Sequence, residues 1–152
     1  TYYRAVLERE GLISSSGDFL RKLRLSNSEI RSCGTGAAVA LRNPPADSLE
    51  WKRLLADKGV EIAGCAAAAA DVLYSGGSRK TLEEVISSGE CFSLKQLAVT
   101  GDDLLELGFN GEEVGDALRQ LLDHVLRYPE ENKRERLMYQ ASRIGRGPYL
   151  LI

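Results

Sequence analysis

Two adjacent carboxylates stand at Asp102 and Asp103, directly after Gly101. A Gly-Asp-Asp triplet on a tight β-hairpin turn can aim both acids at a shared magnesium ion, as polymerases do. The neighbours here predict something else. Thr100 precedes the triplet and Leu104, Leu105 and Leu107 follow it, which is the pattern of a helix start. Successive helix positions differ by about 100° in direction, so the two acids diverge. Asp103 falls where the acid of a capping box belongs, and both acids suit the positive end of a helix. The triplet is therefore read as a cap, with no catalytic and no metal-ligating role. Other catalytic chemistry is equally scarce. His124 is the single His, and Cys33, Cys65 and Cys91 form no C-x-x-C pair. Serine-histidine triads, His-based metal sites, zinc sites and a disulfide scaffold are not expected, and the thiols are expected to be reduced and buried in packing.

The stretch "LLELGFNGEEVGDAL" offers phosphate chemistry instead. One helix should end at Gly108 and another begin after Asn110, a turn with the look of a helix-hairpin-helix motif. The free amides of residues 111 to 114 could meet a phosphate, and Gly111 and Gly115 would let a backbone come close. A plain helical hairpin that needs glycines for its turn accounts for the same residues. Glu112, Glu113 and Asp116 place negative charge beside the proposed contact and count against it.

Net charge is −2 over 152 residues, but it is unevenly spread. Residues 1–80 carry +3, residues 81–116 carry −8 and residues 117–152 carry +3. The basic ends could face nucleic acid, although the total charge gives no support to that. A chain that is 43% hydrophobic and 28% charged suits a globular protein with a core. No stretch is long and apolar enough to cross a membrane, and no signal peptide is visible. The first residue is Thr1, which fits a piece cut from a longer protein.

These residues must be positioned by helices, because the patterning is helical almost throughout. Capping-box signals occur at Ser26/Glu29, Ser93/Gln96, Thr100/Asp103 and Asn110/Glu113. Phe19, Leu20, Leu23 and Leu25 are expected on one side of a first helix, with Arg21, Lys22 and Arg24 as its basic face. A helix from Asp47 or Ser48 should stop at Gly59, and the Ala-rich segment from Val60 should admit a close neighbour. A short helix should run from Thr81 to Gly89. The most regular stripe is Val114, Leu118, Leu121, Leu122, Val125 and Leu126, with Pro129 beyond it. Residues 131–143 predict a last helix, and "GRGPYLLI" an extended tail. The fold class is all-α: a multi-helix body over 1–76 and a small helical tail module over 77–152, divided at Gly76-Gly77.

Residues 89–138 resemble the C-terminal region of bacterial CCA-adding enzymes, the tRNA nucleotidyltransferase/poly(A) polymerase family. The matching elements are "SLKQLAVTGDDLLELG", Gly111-x-x-Val114-Gly115, "LRQLLDHVL" and "PEENKRERL". "LRKLRLSNSEI" and "WKRLLADKG" resemble the part of that family after its HD-like region, so the likeness extends loosely over residues 18–140. It implies a helical body and tail that grip the acceptor-T arm of tRNA and present its 3′ end to a catalytic head. No Asp-x-Asp of that head occurs here, and the Gly-Ser at Gly77-Ser78 leads into a helix cap, with no suitable strand after it. Magnesium and CTP or ATP are expected only for the head, with no cofactor in this chain. The expected partners are tRNA and that head, for a cytoplasmic monomer with no membrane contact. Candidate RNA contacts are Arg21, Lys22, Arg24, Lys95, Gly111, Gly115 and Arg119, each also readable as ordinary surface or turn. Two other functions fit parts of the sequence: a helix-hairpin-helix DNA-binding module, and a helical scaffold or dimerisation domain suggested by the Ala-rich helix and acidic segment.

Overall fold

The computed structural model describes residues 21–144, together with Leu7 and residues 9–11. Phe19, Leu20 and the "GRGPYLLI" tail lie outside the described residues. The protein is all-helical, with seven α-helices and no strand among those residues. It divides into two compact units, Thr1–Gly89 and Glu90–Ile152.

The first unit contains α1 (Asn27–Arg42), α2 (Ser48–Lys58), α3 (Val60–Tyr74) and α4 (Ser78–Ser87). Local caps set their starts. Ser26 accepts the Glu29 N–H at 3.3 Å, and the Glu29 carboxylate accepts the Ser26 N–H at 2.9 Å. Asp47 accepts the Glu50 N–H at 2.8 Å. Gly59, at φ +82°, ends α2 and begins α3, a backbone setting that a side chain would oppose. The Ala-rich helix α3 packs against the other three. Its Ala63, Ala66, Ala67, Ala69 and Ala70 are buried, and Ala69 and Ala70 meet Ala37 and Ala40 of α1. At this crossing a Cβ on Gly36 would stand 2.5 Å from Cys65 Cβ and 2.8 Å from the Ala66 nitrogen. The small-residue face thus admits a neighbour from within the chain. Trp51, Leu55, Leu82 and Val85 are also buried in this unit.

The division between units falls twelve residues beyond the Gly76-Gly77 loop. Helix α4 starts at Ser78, before the expected Thr81, and packs on α2 and α3. Asp71 supplies the reason: its carboxylate accepts the Ser78 and Arg79 N–H groups and so caps α4 from the last turn of α3. Gly77, at φ +70°, makes the reversal inside the first unit. The expected first helix also changes. Arg24 lies at φ +55°, and its N–H returns to the Arg21 carbonyl at 3.0 Å, so the helix stops after Lys22 and Arg24 does not continue a basic helical face. Leu23 and Leu25 are exposed in consequence.

The second unit contains α5 (Gly101–Glu106), α6 (Gly111–Arg127) and α7 (Arg134–Ile144), with 3-10 turns at Leu94–Gln96 and Pro129–Glu131. Helix α6 touches both other helices and both turns. Its buried stripe is Ala117, Leu121, Leu122, Val125 and Leu126, while Val114 and Leu118 are half-buried. Burial of each leucine contributes about 1.5–3 kcal/mol, so this stripe is a substantial part of what holds the unit together. Leu97, Val99, Leu104, Phe109, Leu137 and Ala141 complete the core. The expected box at Ser93/Gln96 gives only a 3-10 turn. The Gln96 side-chain carbonyl accepts the Phe92 N–H and the Ser93 hydroxyl, both at 3.0 Å. Leu97 then turns extended, which buries Leu97 and Val99.

Candidate nucleic-acid interface

The Gly-Asp-Asp triplet opens α5. Asp103 accepts the Thr100 N–H at 2.7 Å and its hydroxyl at 3.0 Å on one carboxylate oxygen. The other oxygen pairs with the Arg134 guanidinium. The Asp103 N–H returns to Thr100 Oγ1 at 3.4 Å, completing the capping box. Both oxygens of this acid are therefore committed to protein donors. The Thr100 N–H is the largest cause that holds the Asp103 carboxyl below the ordinary carboxylate range; partial desolvation opposes it, and the Thr100 hydroxyl and Arg134 add to it. The geometry is that of a helix start, and the adjacent Asp102 is exposed.

The turn that follows is built by Gly108, at φ +93°, and by Phe109, which points into the core. At the start of α6 the Glu113 carboxylate accepts the Asn110 N–H at 3.0 Å. The Glu113 and Val114 N–H groups go to the Asn110 carbonyl at 2.7 and 3.4 Å. Of the four amides that the sequence offers to a phosphate, those of Gly111 and Glu112 remain at the open end of a 17-residue helix. A Cβ on Gly111 or Gly115 would meet nothing within 4 Å. Neither glycine is demanded by packing inside the described structure, unlike Gly36.

Gly111, Gly115 and Arg119 follow at steps of four and lie on one strip of α6. The strip is less acidic than its composition suggests. Glu113 is held by the Asn110 N–H, and Asp116 pairs with Arg119 at 3.0 Å. That ion pair is about three-quarters exposed on the Arg119 side, and such pairs contribute about 0.3–0.5 kcal/mol. Arg119 can leave it for a phosphate at little cost. Further along α6, Arg119, Gln120, Asp123, His124, Arg127 and Tyr128 line an open groove of about 460 Å³. Arg127 was not among the sequence candidates; its i, i+4 spacing from Asp123, matched by a 2.7 Å ion pair, is the signal that locates it. His124 is half-buried and packs its ring on Tyr128, centroids 5.2 Å apart.

Lys95 is exposed on the 3-10 turn Leu94–Gln96, in the same unit as the strip. Arg21, Lys22 and Arg24 are exposed just ahead of α1 in the first unit. The candidates thus fall into two groups, one in each unit. Among the described residues, no helix is long and apolar enough to cross a membrane.

Fold and site together define an all-helical protein whose C-terminal unit presents a helix start carrying Gly111 and Gly115, with Arg119 one turn beyond Gly115. The chain belongs to the family described as tRNA nucleotidyltransferase domain 2 (putative), whose model matches residues 12–141. No curated protein and no solved structure gives a significant match.

Proposed function

We propose that this chain is the tRNA-binding region of a template-independent tRNA nucleotidyltransferase, and that it sets the position of the RNA 3′ end for a catalytic head carried elsewhere in the protein. The family match over residues 12–141 carries this reading. Recognition is by phosphate and shape, because duplex RNA hides its base edges in a deep major groove. Gly111 and Gly115 let an RNA backbone reach the Gly111 and Glu112 amides, with Arg119 and Lys95 supplying charge. Arg21, Lys22 and Arg24 supply a second set of contacts from the body.

Magnesium and CTP or ATP belong to the head in this reading. The adjacent acids in this chain do not fit a magnesium pair, since both oxygens of Asp103 are held by Thr100 and Arg134. The choice between adding CCA, the terminal A alone or poly(A) lies with the head. A cytoplasmic monomer accords with this role. The Ala-rich helix that suggested dimerisation spends its small-residue face inside the first unit.

Electrophoretic mobility shift with deacylated tRNA, in competition with a DNA duplex of matched length, tests the proposal. Binding that prefers tRNA and weakens steeply with salt is expected. Preference for the DNA duplex would favour the helix-hairpin-helix DNA module. Failure to bind tRNA at low salt, both by this chain and by a longer protein that includes the head, would sink the reading.

A further inference from the structure

We propose that Cys33 and Cys65 are the two halves of a reversible disulfide that locks α1 to α3. Cys33 lies on α1 and Cys65 on α3, 32 residues apart in the chain, with their Sγ atoms at 3.8 Å. Both are half-buried, so a small reagent has a route to them, whereas Cys91 is buried. The two helices also come close one turn further along α1. Gly36, one turn beyond Cys33, stands so close that an added Cβ would lie 2.5 Å from Cys65 Cβ. A disulfide needs Cα atoms within about 7 Å and sulfurs at about 2.0 Å. The remaining closure of the sulfurs is the scale of a side-chain rotation. Simple packing of two small residues explains the burial of Cys33 and Cys65. It does not require sulfur at both positions or their mutual contact.

The reaction is thiol–disulfide exchange with a low-molecular-weight disulfide. One cysteine thiolate attacks that reagent, forming a mixed disulfide and releasing one small thiol. The second cysteine attacks the mixed disulfide, forms the Cys33–Cys65 bond and releases the other small thiol. The two cysteines are oxidised, the reagent is reduced, and the two S–H protons pass to the departing thiolates. Burial, and then the neighbouring Cys33, push the Cys65 thiol up to about 11. Exchange should accordingly quicken as pH rises. The bond lies wholly within the first unit and stands independently of RNA binding.

The test uses oxidised glutathione on the chain, followed by thiol titration and non-reducing peptide mapping. Two of the three thiols should be lost, one cross-linked peptide should join residues 33 and 65, and dithiothreitol should restore all three thiols. Cys91→Ser should keep the cross-link, and Cys33→Ser should abolish it. A chain that retains three thiols after prolonged oxidation, ends as a stable glutathione adduct, or links through Cys91 would overturn the proposal. Because Cys91→Ser leaves both proposed partners in place, it tests the bond even if Cys33→Ser does not fold.

Discussion

Arg134 at the first turn of α7 pairs with Asp103 at the first turn of α5, across 31 residues of chain. A cation at a helix N-terminus opposes the helix dipole. The pair offsets that penalty and ties two helix starts together. The same carboxylate caps α5 through Thr100, so one acid joins a local signal to a distant contact.

The depressed Asp103 carboxyl gives this unit an acid sensitivity. A group whose folded pKa is lowered contributes stability that is present above its unfolded value and lost as pH falls through the folded value. Stability of the wild-type chain should therefore decline below about pH 4, and Asp103→Asn should flatten that part of the profile. Thr100→Ala removes the hydroxyl cap and should cost about 1 kcal/mol at neutral pH. Urea unfolding at several pH values checks both.

Two glycine substitutions should act in opposite directions. Gly36→Ala drives a methyl into Cys65 Cβ and the backbone nitrogen of Ala66. It should destabilise by about 1–3 kcal/mol, since backbone cannot step aside as a side-chain tip can. Gly115→Ala meets nothing within 4 Å in a helix interior. It should stabilise by about 0.5–1 kcal/mol through helix propensity. The same Gly115→Ala chain should bind tRNA more weakly; unchanged affinity would remove Gly115 from the proposed contacts.

Asn132 should matter more than its position in a turn suggests. Its side chain accepts the Ala98 N–H and donates to the Gln96 carbonyl, both at 2.9 Å. Asn132→Ala should cost about 1–2 kcal/mol for the two lost bonds. Hydrogen exchange should show the Ala98 amide losing protection first. Full protection in the variant would contradict the assignment.

The basic candidates can be separated by salt dependence. Replacing a residue that contacts phosphate lowers the slope of log affinity against log salt by about 0.9 on a duplex. Lys95→Ala and Arg119→Ala should each do so, and Arg21→Ala, Lys22→Ala and Arg24→Ala test the body group in the same way. A variant that leaves the slope unchanged marks a solvated surface charge.

By itself the sequence determined the all-helical class, the helix starts at Ser26, Asp47 or Ser48, Thr100 and Asn110, and the apolar stripe of α6. These are local or periodic signals, each complete within one or two turns of chain. The resemblance over residues 89–138 also needed no coordinates. The tertiary structure decided what depends on partners far apart in sequence. It placed α4 with the first unit, because Asp71 caps a helix seven residues on and Leu82 and Val85 bury there. It reduced Ser93/Gln96 to a single 3-10 turn, because the chain must extend to bury Leu97 and Val99 and to meet Asn132. It brought Cys33 to Cys65, and it distinguished Gly36, where a neighbour fills the space, from Gly111 and Gly115, where none does. Spacing along a helix tells which residues share a face; only the packing of that face against others tells which are already engaged.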